Sequence, residues 1–63
     1  MQPVKSSYIN RVKHEGGKML VEFKDGSRYE YEVEEELFNK GLKEEDYSGW
    51  FRDNIRTRKG KRL

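Results

Sequence analysis

The sequence predicts an α+β protein in which a three-stranded antiparallel β-meander is covered on one face by two short α-helices. Two observations support this prediction. Apolar residues alternate with polar residues on both sides of Lys24-Asp25-Gly26, which is typical of a hairpin with one buried face. Downstream, the apolar spacing changes to that of a helix at Leu37, Phe38 and Leu42.

The loop length of this hairpin follows from the face on which its large apolar residues lie. A two-residue Asp25-Gly26 turn would set Phe23 opposite Arg28 and divide the apolar residues between the two faces. A three-residue loop, residues 24–26, brings them together on one face. Because Gly26 then occupies a left-handed position without steric cost, we predict this longer loop. The pairs that it creates are Phe23 with Ser27, Val21 with Tyr29, and Met19 with Tyr31.

Upstream of the hairpin, residues 7–13 are predicted to form the first strand, joined to the second across Glu15-Gly16-Gly17. Ile9 and Val12 are three residues apart, so a regular strand cannot point both of them inward. We therefore predict a β-bulge near Asn10-Arg11 that resets the alternation.

The two helices are predicted from their termini and their apolar spacing. Glu34, Glu35 and Glu36 stand where a helix N-terminus favours negative charge, and Gly41 places the end of this first helix nearby. The second helix is predicted from its N-cap, Asp46, to about Arg58. The residues on its apolar side are Tyr47, Phe51 and Ile55. Residues 1–57 are thus predicted to form one domain, followed by a basic C-terminal tail, residues 58–63, whose last four residues, 60–63, are expected to be frayed.

Composition argues against several kinds of site. The 63-residue chain has no cysteine and one histidine, His14, so we expect neither disulfides nor a zinc site. Ser6-Ser7 lack a neighbouring base, and Gly16-Gly17-Lys18 lacks the spacing of a phosphate loop. We therefore predict no enzyme activity, catalytic residue, metal or cofactor. Without a membrane-length apolar run or a signal peptide after Met1, we expect a cytoplasmic protein with no membrane partner.

Charge is distributed unevenly along the chain. Residues 1–29 carry six basic and three acidic side chains, residues 30–46 eight acidic and two basic, and residues 47–63 six basic and one acidic. Basic side chains clustered in this way suit contacts to the phosphates of nucleic acid. The candidate binding residues are Arg52, Arg56, Arg58, Lys59, Lys61 and Arg62, with Lys24 and Arg28 as a second patch.

These candidates predict a non-enzymatic module that binds RNA, or another nucleic acid, electrostatically. On the predicted second helix, Arg52, Arg56 and Lys59 would lie on one side. The alternative is a protein-interaction module, or a small dimeric regulator such as those of phages, that uses the charge-separated surface or an open sheet edge. A monomer and a small homo-oligomer both remain open. Tyr29 and Tyr31 are expected in the core rather than on a base-stacking platform.

A set of motifs spread over nearly the whole chain is typical of one known family. The motifs are Val4-Lys5-Ser6-Ser7-Tyr8-Ile9 with Val12, then Met19, Val21, Phe23 and Gly26, then Tyr29-Glu30-Tyr31, and finally Leu42, Trp50-Phe51 and Ile55-Arg56. In their order and spacing the chain resembles the KTSC domain, a small module named for its occurrence at the C-terminus of some lysyl-tRNA synthetases. The resemblance implies a small binding module for which RNA has been proposed as the partner.

The chain departs from the family pattern at three places. Glu34-Glu35 replaces the proline that usually follows the third strand, and Tyr47-Ser48-Gly49 replaces the family's Ser-x-Gly segment. The basic residues from Arg58 onward are not part of the family pattern. These departures leave the predicted fold intact and bear on any contact surface shared with the family.

Overall fold

The computed structural model describes residues 1–63 and has an α+β fold with one five-stranded antiparallel sheet and two helices. The strands are β1 (Gln2–Pro3), β2 (Ile9–Glu15), β3 (Lys18–Phe23), β4 (Arg28–Glu32) and β5 (Gly60–Arg62). The helices α1 (Glu35–Leu42) and α2 (Tyr47–Asn54) lie between β4 and β5 in the chain. The order of the strands across the sheet is their order in the sequence. The α+β class is confirmed, and the predicted number of three strands is corrected to five.

The hairpin of β3 and β4 has the predicted register. Met19 pairs with Tyr31 and Val21 with Tyr29, while the N–H of Phe23 donates to the carbonyl of Ser27 at 2.8 Å. Gly26 has a φ of 92°, a conformation that costs least at glycine. The three-residue loop is confirmed, and with it the single apolar face of the hairpin.

The β-bulge in the first long strand is also confirmed. The register between β2 and β3 shifts between Ile9 and Arg11, and this extra residue allows both Ile9 and Val12 to be fully buried. The strand itself lies later than predicted, at 9–15 instead of 7–13. Ser6 precedes it, and its Oγ accepts hydrogen bonds from the backbone N–H of Tyr8 and of Ile9.

The helices pack on one face of the sheet and complete its core. Asp46 caps α2 as predicted, accepting a hydrogen bond from the N–H of Gly49 at 3.0 Å. Glu34 precedes α1 without a side-chain cap, and the acidic side chains follow in its first turn. The buried core is formed by Ile9, Val12, Met19, Val21, Tyr31, Val33, Phe38, Tyr47, Trp50, Phe51 and Ile55. Neither helix is long and apolar enough to cross a membrane.

The C-terminal segment differs most from its prediction. The second helix ends at Asn54 instead of Arg58, and the predicted frayed end is a strand, β5, paired with β4. The N–H of Leu63 donates to the carbonyl of Arg28 at 3.0 Å, which extends this pairing. Backbone groups at the edge of β4 would otherwise face solvent, and β5 satisfies them.

Both edge strands are short and carry residues that discourage further pairing. At one edge, β1 has two residues and contains Pro3, which cannot donate a backbone hydrogen bond. At the other edge, β5 has three residues and carries Lys61 and Arg62. Short, charged or proline-containing edges are the usual means by which sheets avoid adding a foreign strand.

Candidate nucleic-acid interface

The basic side chains of the C-terminal basic segment, residues 52–62, do not lie along one side of a helix, although their spacing predicts this. Because α2 ends at Asn54, the chain turns away before most of the basic residues are reached. The expected alignment of side chains along one helix is therefore wrong. The six candidates are divided among three elements: Arg52 on α2, Arg56, Arg58 and Lys59 in the following connection, and Lys61 and Arg62 on β5.

Two of these six cations are occupied by partners within the chain. Arg52 forms an exposed ion pair with its neighbour Asp53, with an N–O distance of 3.2 Å. Arg58 lies 3.6 Å from a carboxylate oxygen of Glu34 and donates to the carbonyl of Glu32 at 3.1 Å. Arg58 therefore ties the end of α2 to the acidic stretch. The exposed cations that form no ion pair are Arg56, Lys59, Lys61 and Arg62.

The second predicted patch, Lys24 and Arg28, likewise has one cation without an ion pair and one with a partner. Lys24 is exposed in the hairpin loop and forms no ion pair. Arg28 donates twice to Glu22, at 3.1 and 2.9 Å, and Arg11 donates to the same carboxylate from the neighbouring strand at 2.7 Å. One carboxylate thus holds two arginines across three strands of the outer sheet face. Its charge offsets theirs, so Arg28 is a weaker phosphate ligand than its exposure suggests.

Glu22 itself is unusual because this acidic residue is only 8% exposed although it lies on the face opposite the core. Hydrogen bonds from Arg11 and then from Asn10 lower its pKa from 4.5 to about 2. The unfolded chain, with an ordinary pKa, therefore binds a proton at a higher pH than the folded chain. The stability that this group contributes is present above about pH 4.5 and is lost as the pH falls toward 2.

We expect Glu22→Gln to flatten the acid dependence of stability over that range. The measurement is the free energy of unfolding in urea at several values between about pH 5 and pH 2. The original protein should lose more stability on acidification than the variant, because glutamine cannot titrate. Equal losses in the two proteins would contradict the assigned pKa.

The inner face of the sheet carries a feature that the sequence did not predict. At the hairpin end, a cleft of about 480 Å³ opens between the sheet and α2. It is termed the aromatic cleft here, and its rings are Tyr8, Phe23, Tyr29, Tyr31 and Phe51. Asp25, Ser27 and Arg56 also line it. Tyr31 is 7% exposed and belongs to the core as expected, whereas Tyr29 is only half-buried and faces the cleft.

The observed α2 is shorter than the central strands of the sheet. An eight-residue helix such as α2 is about 12 Å long, whereas a six-residue strand such as β3 is about 20 Å long. No signal in the sequence predicted this opening, because the spacing predicts a second helix that continues to about Arg58 and is about as long as β3.

One basic side chain of the C-terminal basic segment lines this cleft, and a second lies on the same face of the sheet. Arg56 lines it directly. Arg62 pairs with Tyr29 in the register of β4 and β5, so its side chain lies on the inner face of the sheet. Lys61, the residue before Arg62, pairs with Glu30, and its side chain lies on the outer face of the sheet. The edge strand therefore places one cation beside the cleft and the next on the opposite side.

His14 and the acidic residues show no arrangement of this kind. The His14 ring packs on Phe38, with centroids 5.3 Å apart, and its Nε2 contacts the carbonyl oxygen of Val33. No group of three or more histidine, aspartate or glutamate side chains is placed to hold a metal ion. Fold and site together define a small α+β domain with a cation-bearing sheet edge beside an aromatic cleft. No protein-family model matches the chain, and no curated protein matches it.

Proposed function

We propose that the protein is a non-enzymatic, cytoplasmic module that binds RNA, or another nucleic acid, through its C-terminal basic segment. The observation that carries this proposal is the set of exposed cations without ion pairs in residues 56–62. Free cations of this kind neutralise phosphates and release their counterions, which drives binding. Cations already held by carboxylates, such as Arg28 and Arg58, contribute less.

The geometry of the segment favours contact with a backbone over reading of bases in a groove. Lys61 and Arg62 project from opposite faces of β5, and Arg56 and Lys59 extend from the connection before it. A phosphodiester chain that follows this edge would meet cations on both sides. Phosphate contacts of this type position nucleic acid and carry little sequence information.

The competing proposal, a protein partner at the sheet edge, receives less support. The edge strands are short, and they carry Pro3 at one side and Lys61 with Arg62 at the other. Such edges oppose the addition of a partner strand. Membership of the KTSC family is part of our proposal, and the RNA role suggested for that family agrees with the charge argument.

The decisive experiment is a fluorescence-anisotropy titration of labelled single-stranded RNA at about 50 and 200 mM salt. Contacts by four cations predict a log–log salt slope of about −2.8 and an affinity about 50-fold lower at the higher salt. The test variant changes the four unpaired cations of the segment to glutamine. We expect it to lose most of the binding and the salt dependence.

A control variant with the same net charge separates local contacts from general attraction. It changes four exposed lysines outside the segment to glutamine: Lys5, Lys13, Lys40 and Lys43. We expect this control to keep the salt slope of the original protein. Equal loss of binding in both variants, or no binding by the original protein at low salt, would contradict the proposal.

A further inference from the structure

The five rings of the aromatic cleft form a floor with walls. Phe51 is 1% exposed and forms the floor. Tyr8, Phe23 and Tyr31 meet it edge-on, at interplanar angles of 68°, 80° and 85°. Tyr29 and Tyr31 are within 22° of parallel, and Tyr8 and Phe23 are within 13°. The two pairs meet where Phe23 contacts Tyr29 edge-on, with centroids 5.6 Å apart and an interplanar angle of 84°. A planar group can stack on the ring faces that remain open to the cleft.

The cleft also offers polar groups that the fold leaves free. The hydroxyl of Tyr8 donates to the carbonyl of Ser48 at 3.0 Å, whereas the hydroxyls of Tyr29 and Tyr31 make no hydrogen bond within the chain. Its volume of about 480 Å³ lies within the usual range for small-molecule sites, about 300–1,000 Å³. A mostly apolar cleft with a few free polar groups has the general composition of a ligand site.

Asp25 determines which chemical group suits the cleft. Its Oδ1 accepts from the N–H of Ser27 at 2.9 Å and from the Ser27 hydroxyl at 2.6 Å. These bonds lower the pKa of Asp25, so it is ionised at neutral pH. Its Oδ2 makes no hydrogen bond within the chain and can accept from the amino or imino N–H of a base. A phosphate would be repelled by this carboxylate. It is better placed beside Arg56 than beside Arg62, because the charge of Arg62 also lowers the pKa of Asp25 and is partly offset by it.

We propose that the aromatic cleft holds one unpaired base of a single-stranded nucleic acid whose phosphates lie along the C-terminal basic segment. This inference rests on the proposed function and narrows it from nucleic acid in general to single strands. Ring faces stack the base, Asp25 accepts from its edge, and Arg56 and Arg62 contact the adjoining phosphates. Base stacking on aromatic side chains is the usual device by which proteins select single strands over duplexes.

The first test compares a labelled single strand of RNA with a duplex of the same sequence by fluorescence anisotropy. We expect the single strand to bind more tightly. Tyr29→Leu removes the half-buried ring and keeps an apolar side chain, and it should weaken single-strand binding at least about fivefold, the lower end of a stacked base's contribution. Tyr29→Phe keeps the ring and should bind as the original does. Thermal melting establishes that both variants are folded.

A second measurement detects the base directly. Single-stranded RNA containing 5-iodouracil is irradiated with the original protein, and the cross-linked peptides are identified by mass spectrometry. We expect cross-links to peptides that contain Tyr8 or Tyr29. Cross-links confined to peptides without a cleft residue would overturn the inference.

The outcomes distinguish this inference from the proposed function. Equal binding of single strand and duplex, with no effect of Tyr29→Leu, would contradict the binding of a base in the aromatic cleft. The C-terminal basic segment would then remain as the binding site. No binding of either probe at low salt would overturn both. Aromatic grooves also bind proline-rich peptides, so a polyproline peptide is titrated in parallel. Binding of this peptide without binding of RNA would likewise overturn the inference.

Discussion

Replacing Phe51 with alanine is expected to lower the free energy of unfolding by about 3–5 kcal/mol. Phe51 is 1% exposed and contacts the rings of Tyr8, Phe23 and Tyr31, at centroid distances of 6.2, 6.0 and 5.7 Å. A chain of this length has a total stability of only about 3–9 kcal/mol. The variant should therefore be largely unfolded, or close to it, at room temperature.

Urea denaturation followed by circular dichroism measures this loss. The matched control is Leu37→Ala, which removes a half-buried side chain from α1. Because less of Leu37 is removed from water, its loss of stability should be clearly smaller. If the Leu37 variant loses as much as the Phe51 variant, Phe51 is not at the centre of the core.

Gly41→Ala is expected to destabilise the protein by about 1–3 kcal/mol, the usual cost of overpacking. Helix propensity alone predicts the opposite sign, since alanine is favoured over glycine by about 1 kcal/mol within a helix. Gly41 is buried in α1, and a Cβ at this position would collide with the six-membered ring of the Trp50 indole. The ring is rigid and enclosed, so it cannot move aside cheaply.

The control for Gly41→Ala is Asn39→Ala at an exposed position of the same helix. This substitution should change stability by no more than about 0.5 kcal/mol. Trp50→Phe, which removes the colliding ring, should make Gly41→Ala less costly in a double-mutant cycle. A more stable Gly41→Ala protein, measured by thermal melting, would contradict the close approach of α1 to α2.

Local patterns were sufficient to predict the hairpin and the bulge. The register of β3 and β4 follows from keeping Val21, Tyr29 and Tyr31 on one face, because a slip by one residue would divide them between the two faces. The bulge follows from the three-residue spacing of Ile9 and Val12. Each of these features depends on residues that are close together in the sequence.

The two edge strands could not be predicted in this way. Gly60, Lys61 and Arg62 have no apolar alternation, since β5 is exposed along its whole length. The strand forms because its backbone pairs with β4, about thirty residues earlier in the chain, and such pairing leaves no mark on side-chain periodicity. The predicted second helix was too long for the same reason. Its basic residues suit a helix C-terminus, whereas the pairing of β5 with β4 requires the chain to turn after Asn54.

The residue types of the candidate site are evident from the sequence: an uneven distribution of charge, a basic C-terminal segment, and aromatic side chains on one face of a hairpin. Which cations remain free depends on contacts between separate elements, because Glu22 and Glu34 hold Arg28 and Arg58. The position of β5 beside the aromatic cleft likewise results from tertiary pairing. Residue types set which interactions a chain can make, whereas packing and backbone pairing between distant segments select the ones that form.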